Sequence, residues 1–183
     1  MEEQNVIEQP QVRVEPITPV TDESYVDDLI NSLSPDLCTA RIISPAYSAR
    51  NGELTAVLQY MYQSMIYQNL GNFTVYSQLQ RIGVQEMKHL EILGRTLLKL
   101  GVLPIYSAFP PRMDIFFSGR YVNYNANPRQ MITLAISGET NAIKNYNQMI
   151  SKLENQTVRD IIIHIRNEEE EHLRILTNIL STL

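Results

Sequence analysis

Four stretches of the chain carry apolar residues at helical spacing, each for about 25 residues, far beyond the length of a typical strand. The first runs from about Ala46 to Leu70 and stops at the turn signal Gly71-Asn72. The second runs from about Phe73 to Leu100, with Val75, Leu79, Ile82, Leu90, Leu93 and Leu97 on one stripe, and Gly101 ends it. Asn127 as N-cap and Pro128 at the first helical position open the third, which reaches about Leu153. The fourth starts near Asn155 to Thr157 and continues almost to Leu183. Short links join the first to the second and the third to the fourth, so each pair is expected to form an antiparallel hairpin. The link from about Val102 to Ala126 is long and rich in Pro, Phe and Tyr. Such a crossover lets the third helix run parallel to the second. The pattern predicts an all-α fold: an antiparallel four-helix bundle over residues 46–183, with one long crossover in the middle.

Before the bundle, residues 1–22 are polar, hold Pro10, Pro16 and Pro19, and read as an extended or disordered arm. Residues 23–45 read as a short helix followed by a loop. Val26, Leu29, Ile30 and Leu33 have helical spacing, Ser34-Pro35 ends it, and the loop continues through Pro45.

Composition narrows the picture by exclusion. The formal charge of −5 and the lack of a Lys/Arg cluster argue against nucleic-acid binding. The single cysteine, Cys38, excludes an intrachain disulfide and a Cys-x-x-Cys metal site, and reads as a small buried residue. No apolar run approaches membrane-spanning length and the N-terminus has no secretory pattern. A soluble cytoplasmic protein is expected.

The two hairpins are copies of one unit. Glu53-Leu-Thr-Ala-Val-Leu-Gln-Tyr60 in the first helix aligns with Glu139-Thr-Asn-Ala-Ile-Lys-Asn-Tyr146 in the third. Glu86-Met-Lys-His89-Leu-Glu-Ile-Leu93 in the second aligns with Glu169-Glu-Glu-His172-Leu-Arg-Ile-Leu176 in the fourth. A duplication that preserves core apolar residues has a packing reason; one that also preserves Glu, His and Tyr needs a chemical one. Glu86 lies four residues from both Ile82 and Leu90, and Glu169 four from both Ile165 and Leu173, inside the apolar stripes. Four unpaired carboxylates on inward faces would cost several kcal/mol each, roughly. Two divalent cations supply the compensating charge. Glu-x-x-His puts both side chains on one helix face, and a Glu from each of the other two helices completes a di-metal carboxylate set. Carboxylate and imidazole donors suit iron or manganese. One Glu-x-x-His arises readily by chance on a solvated face; two, on matching helices with matching glutamates, do not. The predicted ligands are Glu53, Glu86, His89, Glu139, Glu169 and His172, with each histidine oriented by an outer hydrogen-bond acceptor. Glu91, Glu168, Glu170 and Glu171 read as solvated faces or outer contacts, and His164 as a surface or packing residue. Tyr60 and Tyr146 read as core aromatics, each two turns from a ligand on its own face and able to hydrogen-bond to it or pass electrons.

Asn51-Gly-Glu-Leu-Thr-Ala-Val-Leu-Gln-Tyr60, Gln85-Glu-Met-Lys-His-Leu90 and Glu168-Glu-Glu-Glu-His172-Leu resemble the metal-site helices of bacterioferritins and, less closely, those of rubrerythrins and manganese catalases. The resemblance spans residues 46 to 183. It implies that Glu53, Glu86 and His89 hold one metal and Glu139, Glu169 and His172 the other, with Glu86 and Glu169 bridging. It places Tyr60 beside the di-iron centre with a redox or supporting role, and Met87 where bacterioferritins ligate haem between subunits, although a packing methionine explains Met87 as well. The sequence runs eleven residues past His172, short of the fifth helix of 24-subunit cages, so a homodimer or small homo-oligomer is expected. Without a Cys-x-x-Cys electron-transfer module, a peroxidase activity would draw on an external electron donor. The arm and the aromatic crossover, including Phe116 to Tyr124, exceed a minimal bacterioferritin and resemble the manganese catalases, whose Gly-Glu-Leu-Thr-Ala helix is also similar. The expected function is a di-iron oxidoreductase acting on O2 or hydrogen peroxide, as ferroxidase or peroxidase. The alternatives are a manganese catalase, which disproportionates peroxide without a reductant, and a structural or cargo protein whose metals only stabilise the bundle.

Overall fold

The computed structural model describes residues 23–183, so the arm expected over residues 1–22 lies outside the described residues. Six α-helices follow one another: α1 (Glu23–Asn31), α2 (Leu37–Ser48), α3 (Glu53–Asn69), α4 (Phe73–Lys99), α5 (Pro128–Lys152) and α6 (Gln156–Thr182). Side-chain caps decide where three of the long ones start. Asn72, Asn127 and Asn155 accept the backbone N–H groups of Val75, Gln130 and Val158 at 3.1, 3.0 and 3.1 Å. Each supplies an acceptor to one of the orphan donors of a first turn. Gly71 and Gly101 end α3 and α4 at φ of 75° and 88°, a conformation that costs glycine little.

α3 pairs with α4 and α5 with α6, giving two hairpins joined by the crossover expected from the sequence. The core divides into two apolar clusters. One holds Tyr47, Leu93, Leu97, Ile162 and Ile165, and the other Leu79, Ile82, Ile132, Leu176 and Ile179. On α4 the turns between Ile82 and Leu93 carry Glu86 and His89, and on α6 those between Ile165 and Leu176 carry Glu169 and His172. A polar layer is therefore held between two dry ones. α1 adds Val26 and Ile30 against Ile161 on α6.

Residues 37–48, which the sequence reads as loop through Pro45 and as the start of the first bundle helix from Ala46, form α2, and the first bundle helix starts at Glu53. Asp36 caps α2 by accepting from the N–H groups of Cys38 and Thr39 at 3.1 and 3.0 Å and from the Thr39 hydroxyl at 2.6 Å. The Thr39 hydroxyl bond, then its backbone bond, holds the Asp36 carboxyl below its usual range. Pro45 lies in the last turn of α2 and its own carbonyl still accepts the Ala49 N–H at 3.1 Å. Burial of Ala40, Ile43, Ala46 and Tyr47 with Leu93, Leu97 and Leu100 outweighs the helix-breaking tendency of that proline.

The crossover is tied down along α3. Gln59 and the Asn123 backbone exchange two hydrogen bonds of 2.9 and 2.7 Å. The Tyr62 hydroxyl donates to the Tyr124 carbonyl at 2.9 Å and Tyr67 to the Pro128 carbonyl at 2.8 Å. At its other end, Ser44 of α2 accepts the Phe109 N–H at 2.8 Å.

The corner between α2 and α3 fixes where Glu53 sits. A Cβ at Gly52 would lie 2.5 Å from the Ala46 carbonyl oxygen and 2.8 Å from that of Pro45, so backbone packs on backbone one residue before Glu53. Gly52→Ala is expected to destabilise the fold by about 1–3 kcal/mol, the usual cost of forcing a backbone shift. Urea unfolding measures this, and an unchanged midpoint would contradict the packing described.

Candidate metal centre

The structure brings all six predicted ligands together. Glu53 from α3, Glu86 and His89 from α4, Glu139 from α5, and Glu169 and His172 from α6 are all buried, none more than 4% exposed. They form two overlapping groups: Glu53, Glu86, His89 and Glu169, and Glu86, Glu139, Glu169 and His172. Within each, one donor atom per residue lies within 4.8 Å of the others. Glu86 and Glu169 belong to both groups. His89 Nδ1 is 3.1 Å from Glu169 Oε1 and 3.5 Å from Glu86 Oε2. His172 Nδ1 is 2.9 Å from Glu86 Oε1 and 3.0 Å from Glu169 Oε2.

Both imidazoles turn Nδ1 inward and Nε2 outward. His89 Nε2 bonds Glu168 at 2.8 Å, and His172 Nε2 bonds the Gln85 side-chain oxygen at 3.1 Å. An acceptor on Nε2 keeps the proton there and leaves the Nδ1 lone pair for the centre. Glu168 and Gln85 precede Glu169 and Glu86, so in each copy the residue before the shared glutamate orients the histidine of the other copy. The sequence predicts outer acceptors and offers Glu168 among several candidates, but does not single out Gln85. The available signal was its place in the repeat.

The tyrosines cross over in the same way. Tyr60 donates to Glu139 and Tyr146 to Glu53, rather than each to the glutamate of its own helix. Seven residues span about 10 Å along a helix, out of hydrogen-bond reach. α3 and α5 face each other in opposite directions, which brings each tyrosine level with the other helix's glutamate. Burial, and then the facing carboxylate, holds both phenols far above their usual pKa, so they remain donors. Each tyrosine occupies one oxygen of its glutamate, and the other oxygen of Glu53 lies 3.7 Å from His89 Nδ1.

Other residues singled out from the sequence stand apart from the cluster. Met87 is 46% exposed on the outer side of α4. Cys38 is exposed rather than buried, because it falls in the first turn of α2 and the buried positions there are Thr39 and Ala40. His164 is buried, with Nε2 3.9 Å from Glu168, and Glu91 is exposed.

A divalent cation pair fits this donor set. Glu53 Oε2, Glu86 Oε1 and His89 Nδ1 are buried within the cluster and make no well-aligned hydrogen bond, although His172 Nδ1 lies 2.9 Å from Glu86 Oε1 and His89 Nδ1 3.1 Å from Glu169 Oε1; ligation would satisfy them. Among the described residues, the ion pairs within the layer are those of its two histidines. Without metal, protons do part of that work. Burial, then Glu86 and Glu169, pushes Glu53 well above the usual carboxylate range; Glu139 is raised by burial, then by Glu169 and Glu86. For Glu86 burial acts upward but is outweighed by His172, and for Glu169 burial and Glu86 are outweighed by the histidines, so both are held low. Burial alone would lower both histidines, but the surrounding carboxylates raise them well above their ordinary value.

The buried carboxylate–histidine layer of this all-α bundle fits a di-metal site. The ferritin-like domain family matches residues 48–183, and the chain belongs to that family. Among solved structures it is similar to the manganese catalase KatB of Anabaena PCC7120, at 18% identity and a TM-score of 0.75 over 93% of this chain and 80% of that one. It is also similar to bacterioferritin BfrA of Mycobacterium tuberculosis, at 20% identity and a TM-score of 0.66 over 82% and 88% of the two chains. The bacterioferritin of Desulfovibrio desulfuricans matches at 21% identity and a TM-score of 0.65 over 87% and 81%. These likenesses establish the shared fold. No curated protein matches the chain in sequence. Among the described residues, no helix is long and apolar enough to cross a membrane.

The protonation pattern gives the metal-free protein a distinctive pH response. Glu53, Glu139, His89 and His172 have raised pKa values in the fold, so their contribution is complete below the unfolded values and is lost as pH rises. The lowered Glu86 and Glu169 contribute above the usual carboxylate pKa and lose that only in acid. The chelator-treated protein is therefore expected to lose thermal stability from about pH 6 to about pH 8, above the ordinary carboxylate range and through that of histidine. Added Mn(II) is expected to reverse the trend, because ligation favours the deprotonated forms. Parallel pH profiles with and without metal would count against the assignment.

Proposed function

We propose that this protein is a di-metal oxidoreductase that reacts with hydrogen peroxide or dioxygen. The observation that carries the reading is the buried six-residue cluster in which Glu86 and Glu169 belong to both ligand groups. In it, Glu53 and His89 would complete one metal position and Glu139 and His172 the other. Two iron ions, when bound, supply together the two electrons that reduction of peroxide to water takes up. The protein's part is to hold the centre dry, fix the donors and manage protons. The Glu168 and Gln85 acceptors keep both imidazoles in one tautomer. Tyr60 and Tyr146 hold phenolic protons against Glu139 and Glu53, limiting how far those carboxylates swing; Tyr60 is also the nearer analogue of the redox tyrosine implied by the sequence resemblance. Peroxidase turnover would draw on an external electron donor, and ferroxidase turnover on Fe(II) itself. The exposed Met87 offers a surface position for haem only if two subunits meet there, and the centre described does not require it. A homodimer or small homo-oligomer in the cytoplasm remains the assembly that this reading takes.

A second reading, peroxide disproportionation by a manganese pair, is favoured by the extent of the likeness to KatB, which covers 93% of this chain. One experiment separates these readings. Protein loaded with iron or with manganese is mixed with peroxide, and oxygen release, peroxide loss and Fe(II) oxidation are followed. The iron reading expects stoichiometric Fe(II) oxidation with little oxygen release. Vigorous oxygen release by the manganese form alone would replace it with the catalase reading. In either case the Glu86→Ala, Glu169→Ala double variant is expected to lose more than about 100-fold in rate, beyond what loss of an outer hydrogen bond does. Metal-dependent stability without turnover in any form would identify a structural role instead.

A further inference from the structure

Between α3 and α5 a cleft of about 180 Å³ descends to Glu53, Glu86, Glu139 and Glu169. Its upper walls are Gln59, Tyr121, Asn123, Asn141 and Gly138, and the charged side chain at its edge is Arg50. Gly138 is the informative residue. Glycine inside a helix is destabilising relative to alanine, and the usual reasons for tolerating it are absent. Its φ is not positive, and a Cβ built there would meet nothing within 4 Å. Gly83 and Gly94, also in a helix interior, differ: a Cβ there would come within 3.3 Å of Tyr60 and Tyr47. In the other copy of the repeat, Gly52 likewise precedes its glutamate, but there the space is filled by the Pro45 and Ala46 carbonyls. The two copies thus differ here: the α2 corner plugs one side, and at Gly138 the same side stays open.

Resting on the di-metal reading, we infer that the cleft is the route by which a small uncharged molecule, of the size of hydrogen peroxide or dioxygen, reaches the centre, and that Gly138 sets its width. The volume holds only a handful of water-sized molecules, at about 30 Å³ each. The Gln59–Asn123 hydrogen bonds fasten the crossover as its rim. Above the glutamates the wall side chains are apolar (Ala56, Leu134, Ala135, Ala142) or polar and uncharged (Gln59, Asn123, Asn141), and the cation Arg50 also lines the cleft; such a lining favours neutral molecules over hydrated metal ions.

The test uses ferrous-loaded full-length protein and nitric oxide, an uncharged diatomic that binds ferrous iron without turnover, followed by stopped-flow absorbance. Gly138→Leu is expected to slow association at least about tenfold, and Gly138→Ala by about two- to threefold, with iron content unchanged, as for a narrowed gate. Gly138→Ala is also expected to raise the melting temperature, since its methyl enters open space on a helix. If the leucine variant fails to fold or load, the alanine variant decides. Association as fast as wild type in iron-loaded Gly138 variants would overturn the inference and leave the di-metal reading standing. Wild-type protein that binds neither iron nor manganese in the cluster would overturn both.

Discussion

Four carboxylates and two imidazoles share the middle of a helical bundle, with apolar layers on both sides. Each buried carboxylate left without a partner would cost several kcal/mol, roughly. Among the described residues, the ion pairs that repay part of that within the layer are those of its two histidines. The fold therefore depends on charge compensation at its centre, and most of its other polar features follow. The crossed tyrosines restrain the outer glutamates. Glu168 and Gln85 fix the ring orientation of the histidines. Gly52 lets the chain turn tightly enough to start α3 at Glu53.

Duplication explains why these features come in pairs. A candidate ligand of one hairpin is supported by a residue of the other in each case: Tyr60 with Glu139, Tyr146 with Glu53, Gln85 with His172, Glu168 with His89. The copies interlock, so neither builds the centre alone. The symmetry is imperfect at two places. One histidine is oriented by a carboxylate and the other by an amide, and α2 covers one side of the α3–α5 groove while the other side stays open at Gly138.

Much of this was legible from periodicity. Long helices with asparagine caps and glycine stops give local signals that tertiary packing reinforces, and a polar repeat inside an apolar stripe has few explanations other than ligation. What the sequence hid depends on contacts between distant segments. α2 carries a proline and several small polar residues, so its helical character is visible only once its burial against α4 is known. Cys38 reads as buried by residue type, yet its place in the first turn of α2 turns it outward. Tyr60 and Tyr146 share a face with their own helix's glutamate, and nothing local says that the partner lies across the bundle. Gly138 looks like any helix glycine until the space above it is seen to be empty.

The central claim is that the polar layer is a paired cation site and not a cluster held by shared protons. Anomalous scattering from crystals of protein purified without added metal or chelator addresses it directly, by locating and identifying any bound ions. Two peaks per chain are predicted, one among Glu53, Glu86, His89 and Glu169 and one among Glu86, Glu139, Glu169 and His172. A fully ordered layer with no anomalous peak, or with metal bound only elsewhere, would contradict it.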